Sequence, residues 1–266
     1  MMRAMRFRSC TLVVVVAALA PAIAWAAATL RLEDMTTTEL REAIGSGKTT
    51  ILVPIGGTEQ NGAHMALGKH NRRALLLSER IAEALGNALV APVVAYVPEG
   101  SVDTAEGHMR FAGTITIPPE AFIVTLESAA RSFKLHGFRD IVFLGDHGGY
   151  QRDLASAAQR LNRRWASDEA RAHALPEYYR AVEADYPKLL RARGIADAEI
   201  GLHAGLADTA LMLALDRTYV RSNRLRTPGA GVNGDPQRAT PELGQLGVDL
   251  IVSHTTTAIR KAASRR

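Results

Sequence analysis

The chain has one cysteine, Cys10, and it lies among the first ten residues. That excludes both a disulfide framework and a cysteine-based zinc site. Aromatic residues make up only 5%, with two tryptophans. No interleaved basic-aromatic run of the kind that grips nucleic acid is present. The longest apolar run, Leu12–Ala20, is too short to span a bilayer, so no stable membrane anchor is expected. No Pro/Ser-rich linker, low-complexity block or repeat at a period of about 20–50 residues interrupts the sequence. What remains is globular composition: 47% apolar and 22% charged residues in 266.

Acids are also missing from both ends. Residues 1–26 carry Arg3, Arg6 and Arg8 but no Asp or Glu, followed by the short apolar run and Ala24-Trp25-Ala26. This is the pattern of a secretory signal peptide, with cleavage expected near Ala26 and a periplasmic or secreted product. Cys10 would leave with it. The C-terminal tail holds Arg260, Lys261, Arg265 and Arg266 without an acid. Removing the three N-terminal arginines lowers the net charge from +5 to +2, and setting the tail aside brings it to −2. The basic balance therefore sits at the ends and gives no support to a nucleic-acid partner. Residues 27–266 are expected to form one domain with a basic tail.

Periodicity alternates between strand and helix. Thr36-Thr37-Thr38-Glu39 is a capping box opening a short helix that stops near Gly45–Gly47. Residues 50–55, 88–97, 113–117 and 140–144 read as strands; 72–85, 119–136, 151–166, 208–215 and 241–263 read as helices. Near-continuous apolar strands between helices predict an α/β fold, a mostly parallel sheet covered on both faces. Sites in such sheets lie in loops after the carboxyl ends of the strands.

Three polar, glycine-rich segments occupy such loops. Pro54–Asn71 packs Glu59, Asn61, His64 and His70 into twelve residues. Gly145–Tyr150 places His147 between Asp146 and the glycines Gly148 and Gly149. Gly201–Met212 holds His203 and Asp208. Glutamate and histidine are ligands suited to Zn²⁺ or Mn²⁺. Taken singly, each segment also reads as a solvated loop, a strand-to-helix turn or, for Asp208, a helix cap.

Together and in this order the segments resemble the creatininase family of metal-dependent amidohydrolases. Gly57–His70 follows the family's Gly-Ser-Thr-Glu-Gln-His-Gly-Pro-His-Leu-Pro-x-Gly-Thr-Asp without a gap. Leu144–Tyr150 is similar to its Asn-Gly-His-Gly-Gly-Asn, and His203–Thr209 to its His-Ala-Gly-x-x-Glu-Thr. Glu106–Ile117 and Gly231–Gly244 resemble two further stretches, so the likeness covers residues 35–262. It implies a three-layer α/β/α domain, two divalent metals, attack of a metal-held water on a C–N amide bond, and a homo-oligomer, commonly a hexamer.

Residue by residue, the sequence departs from that pattern. Glu59 and His147 match metal ligands, but Asn61 stands for a ligand histidine and His70 for the aspartate that bridges the metals. Asp208 stands for a glutamate, and Gly149 for a further ligand glutamate of creatininase itself. A carboxylate can join two cations, whereas a neutral imidazole offers one lone pair. The expectation is one Zn²⁺ or Mn²⁺ rather than two, held by Glu59, His70, His147 and Asp208. His203 and Glu106 are expected to be catalytic, with His203 passing a proton to the leaving nitrogen. His64, Asn61, His108, Gly148 and Gly149 are expected to face a small amide substrate. The competing expectation is a non-catalytic small-ligand binder on the same fold with a degraded metal site.

Overall fold

The computed structural model describes residues 29–264; the expected signal segment, 1–26, lies outside the described residues. Strand β1, Thr50–Ile55, is buried along its whole length. A strand that is apolar at every position needs cover on both faces, and the chain supplies it. β1 pairs in parallel with β2 (Ala88–Val90) and β3 (Asp140–Gly145), and β3 pairs in parallel with β4 (Arg171–Ala174). The order is β2-β1-β3-β4, so the sheet is parallel throughout.

The two-residue strand period sorts the side chains. Ile51, Val53, Ile55, Ile141 and Phe143 enter one core. It is covered by α1 (Thr37–Gly45), α3 (Pro119–Leu135) and α4 (Gln151–Arg164), through Ile44, Phe122, Leu126, Leu154 and Leu161. Leu52, Val142 and Leu144 enter the other core. Here the cover is α2 (Lys69–Leu85), α5 (Pro176–Arg180), α6 (Tyr186–Arg191), α8 (Leu206–Asp216) and α9 (Pro241–Ala263), with the short α7 (Asp197–Ile200) adding Ile200. The result is the three-layer α/β/α arrangement.

Local signals set the boundaries. Thr36 and Glu39 form the capping box, with Thr36 N donating to Glu39 Oε2 at 2.7 Å and Glu39 N to Thr36 Oγ1 at 3.3 Å. Thr240 caps α9 by accepting from Leu243 N at 3.3 Å. α9 crosses α8 at Gly244, where a Cβ would fall 1.8 Å from Ala210 O. Only glycine permits that approach.

Three expectations change. The expected strand 88–97 ends at Val90, because Pro92 has no N–H to continue a ladder. The 113–117 segment runs extended but joins no strand. Its bonds are isolated, from Ile115 N to Thr58 O and from Ile117 N to Val97 O. Helix α2 starts at Lys69 rather than near 72, which places Lys69, His70 and Arg73 on its first turns, all buried. β4 and the α5–α6 run, joined through a π-turn at Ala181–Asp185, have no counterpart among the expected elements.

Candidate active site

The site lies beyond the carboxyl ends of β1 and β3, as expected for a parallel sheet. The two strand ends are tied by Tyr150. Its hydroxyl reaches Ile55 O at 2.9 Å and Gly56 O at 2.6 Å, and it accepts from His147 N at 3.1 Å. The loop after β1 then carries Glu59, and its own polar side chains fold it. Asn61 Nδ2 donates to Glu59 O at 2.9 Å and to Ala66 O at 3.1 Å.

Glu59 is fully buried at the centre. Its Oε1 accepts from His70 Nε2 at 2.7 Å, and His70 Nδ1 lies 2.6 Å from Asp146 Oδ2. Both partners are carboxylate oxygens, so both ring nitrogens of His70 must donate, and His70 is an imidazolium. Burial and the nearby Lys69 oppose that charge, but the hydrogen bonds to Asp146 and Glu59 prevail and raise its pKa. Burial would likewise raise the Glu59 carboxyl, yet the bond and charge from His70, with Lys69 and His147, hold it far below the usual carboxylate range.

A second layer of charge backs this pair. Arg73 Nε bonds both oxygens of Asp146, at 3.0 and 2.8 Å, and its Nη1 reaches Asp208 Oδ1 at 2.6 Å. Lys69 Nζ lies 3.0 Å from Asp208 Oδ2, which also accepts from Ala204 N at 2.8 Å. Tyr178 OH donates to Asp146 Oδ1 at 2.9 Å. Against the cost of burial, Lys69 and Arg73 keep Asp208 well below its ordinary pKa.

Three other imidazoles ring the free side of Glu59. His108 Nδ1 is 3.1 Å and His147 Nε2 3.9 Å from Oε2, and His203 Nδ1 is 3.7 Å from Oε1. Burial, then the His70 charge, lowers His147 to about 3. Burial, then Lys69, lowers His203 to about 4. Both are neutral at pH 7; the Nδ1 lone pair of His147 accepts from Gly149 N at 3.2 Å, while His203 donates from Nε2 to Gln60 O at 2.9 Å and keeps its Nδ1 lone pair toward Glu59. Glu99 also enters here, with Oε2 3.6 Å from His147 Nδ1. Burial, then the Glu59 charge, pushes its carboxyl up to about 8. Two groups bring ligand atoms within 4.8 Å of one another: Glu59–His108–His203 and Glu59–Glu99–His147. Buried carboxylates with unpartnered oxygens beside neutral imidazoles fit a divalent cation.

The expected residues divide accordingly. Glu59, His70 and His147 do come together, but His70 has no lone pair for a metal, since both nitrogens serve carboxylates. Asp208 is not free either; its oxygens answer Lys69, Arg73 and a backbone N–H. Asn61 and His64 are fully buried and do not reach the cleft. His64 Nε2 instead meets Thr209 Oγ1 at 3.1 Å. Glu106 is exposed beside a short 3-10 turn, Gly107–Arg110, outside the cleft wall. His108 and His203 do line the cleft. Gln60 holds both, with Nε2 3.0 Å from His108 Nδ1 and 3.2 Å from His203 Nε2. Gly148 and Gly149 are exposed and do not line the cleft, although a Cβ on Gly148 would fall 2.6 Å from the OH of Tyr179, which does. His173 pairs with Asp140 at 2.9 Å, and exposed His254 with Asp185 at 3.1 Å, away from the site.

The sequence alone assigned no role to Lys69, Arg73, Asp146, Gln60 or Glu99. Four of these adjoin a quoted motif residue or lie one helical turn from one. Glu99 lies outside the motifs, and only its place just after an apolar run marked it. The cleft itself is about 390 Å³ and runs along Lys69, Arg73, His147, Tyr179 and His203.

The likeness to known proteins is consistent with this geometry. The family model described as creatinine amidohydrolase matches residues 33–259. A mycofactocin precursor peptide peptidase of Mycolicibacterium smegmatis is 28% identical over 73% of this chain and 78% of its own. The creatinine amidohydrolase of Pseudomonas putida is 24% identical over 86% of this chain and 95% of its own. A solved creatinine amidohydrolase shares the fold with a TM-score of 0.74 at 24% identity, over 90% of this chain and 99% of that one. Related creatininase structures include a Zn–Zn form and an Mn form. With the match spanning nearly all the described residues, the chain belongs to the creatininase family of amidohydrolases.

Proposed function

We propose that this protein hydrolyses a C–N amide bond in a small, cyclic or linear substrate with the help of a divalent cation, Zn²⁺ or Mn²⁺. One observation carries the reading. Glu59 is fully buried and held ionised, its Oε2 has no hydrogen-bond partner among the described residues, and the neutral imidazoles of His147 and His203 face its carboxylate. When bound there, the cation supplies an activated water and polarises the amide carbonyl.

The chain's own groups do the rest. His203, neutral at pH 7, accepts a proton from the attacking water and returns it to the leaving nitrogen. The products are a carboxylic acid and an amine, so atoms and protons balance. Gln60 fixes the orientation of His203 through its backbone oxygen at 2.9 Å and its side chain. A cleft of this size takes a small molecule or the end of a peptide rather than a folded chain. The signal-like 1–26 segment supports action outside the cytoplasm.

The test is turnover across a panel of small cyclic amides, linear amides and short peptides. Hydrolysis of at least one member should be lost in chelator and restored by Zn²⁺ or Mn²⁺. Chelator-insensitive hydrolysis, or none across the panel, would count against the reading. The second reading, a non-catalytic binder, is favoured by one feature. Lys69, His70 and Arg73 already balance Glu59, Asp146 and Asp208 without a metal. It predicts ligand affinity in the same cleft that chelator does not change.

A further inference from the structure

Glu99 has no part in the reaction described above. It lies between β2 and α3, outside the motif segments. Its side chain is fully buried, and neither carboxylate oxygen has a hydrogen-bond partner among the described residues. A buried carboxyl group whose two oxygens have no hydrogen-bond partner is costly even when protonated, and such a group calls for a physical explanation.

The fold builds this position with care. Glu99 N donates to Thr116 Oγ1 at 3.0 Å, and that hydroxyl donates on to Gly100 O at 3.0 Å. Ile117 N bonds Val97 O at 3.2 Å, so the extended 113–117 segment clamps the Glu99 backbone from both sides. Across the gap stands Gly57, with φ at +145°. A Cβ at Gly57 would fall 2.5 Å from Glu99 Oε1. The glycine at the end of β1 thus gives the carboxylate its room. From there Glu99 Oε2 is 3.6 Å from His147 Nδ1, the nitrogen that also accepts from Gly149 N at 3.2 Å, and Glu59 Oε2 is 3.9 Å from the other ring nitrogen, Nε2; one ligand atom from each of the three residues lies within 4.8 Å of the other two.

We infer that Glu99, Glu59 and His147 together form the divalent-cation site of this protein, with Glu99 as its third ligand. This rests on the metal-dependent reading above and specifies the ligands. Two carboxylates and one imidazole make a donor set suited to Zn²⁺ or Mn²⁺, with positions left open. The other convergent group, Glu59–His108–His203, is less free. Gln60 engages both of its imidazoles through side-chain and backbone atoms, whereas the ring of His147 carries a single backbone bond, from Gly149 N at 3.2 Å, and only the Glu99 group includes a carboxyl with both oxygens unpartnered. Dividing the ring this way gives every group a task. Glu99 and His147 hold the cation, and His108 and His203 face the substrate.

The test uses the full chain freed of metal, with Zn²⁺ and Co²⁺ alone as probes. Zn²⁺ affinity is measured by calorimetry and the Co²⁺ environment by its visible absorption. Glu99→Gln should weaken both ions at least about tenfold and change the Co²⁺ spectrum. Glu99→Asp, which keeps a carboxyl group able to ionise on a cation, should recover part of the affinity. His108→Gln should leave affinity within about twofold and the spectrum unchanged. Circular dichroism confirms that each variant is folded. If the parent binds metal and Glu99→Gln binds it equally well with the same spectrum, the assignment of Glu99 is overturned while the metal reading stands. The assignment is overturned in the same way if His108→Gln, and not Glu99→Gln, loses the metal. If the parent binds neither ion, both fall together.

Discussion

Arg73→Met is expected to destabilise the protein by about 3–5 kcal/mol, the cost of removing one partner from a buried charge cluster. Arg73 is almost fully buried and joins Asp146 to Asp208 across the sheet end. Its loss leaves Asp146 with His70 and Tyr178, and Asp208 with Lys69 and a backbone N–H. Neither carboxylate can recover its hydration in that setting. Methionine keeps most of the volume, so the penalty is electrostatic rather than a cavity. For a chain of this size the melting temperature should fall by roughly 10 °C. Adding Asp208→Asn to Arg73→Met should return part of the loss, because one of the stranded charges is then removed. A shift under about 2 °C for the single variant would show that the cluster is not held as described.

Glu59→Gln carries the largest expected effect on activity. The substitution keeps shape and an oxygen acceptor for His70 but removes the negative charge around which the site is arranged. Metal-ion stabilisation of the reacting groups is worth several kcal/mol. The corresponding loss is about 10³-fold or more in kcat/KM. Asp146 still holds His70, so the variant should remain folded, as read by circular dichroism. A folded Glu59→Gln protein with more than about a tenth of the parent activity would remove Glu59 from the chemistry.

Much of the fold was legible because its signals are local. β1 and β3 are short apolar runs bounded by glycine, and α1 and α9 begin at Thr caps whose bonds the structure contains. β4 was not legible. Its sequence, Arg-Ala-His-Ala, carries no strand signal, and it pairs as the edge strand of the sheet. The 113–117 alternation misled because Thr114 and Thr116 spend their hydroxyls on loop carbonyls rather than facing solvent from a ladder.

Motif order was enough to bring Glu59, His147, His203 and His108 to one centre. The hydrogen-bond partners of the other candidate residues depended on tertiary neighbours. The early start of α2 turned Lys69 and Arg73 inward, and those two cations claimed Asp208. His70 spends both ring N–H groups on Glu59 and Asp146, the second of which comes from another strand end. Glu99 is a single acid in a loop, made significant by Gly57 and His147 from two distant segments. No spacing rule connects those three.

The metal content of the purified protein, measured by mass spectrometry beside Glu59→Gln, tests the cation site at Glu59 most directly. Near-stoichiometric Zn²⁺ or Mn²⁺ is expected in the parent, removed by chelator together with amide hydrolysis, with little metal in the variant. A parent protein that is folded, metal-free after growth in metal-replete medium and unable to take up either ion would contradict a metal-dependent hydrolase.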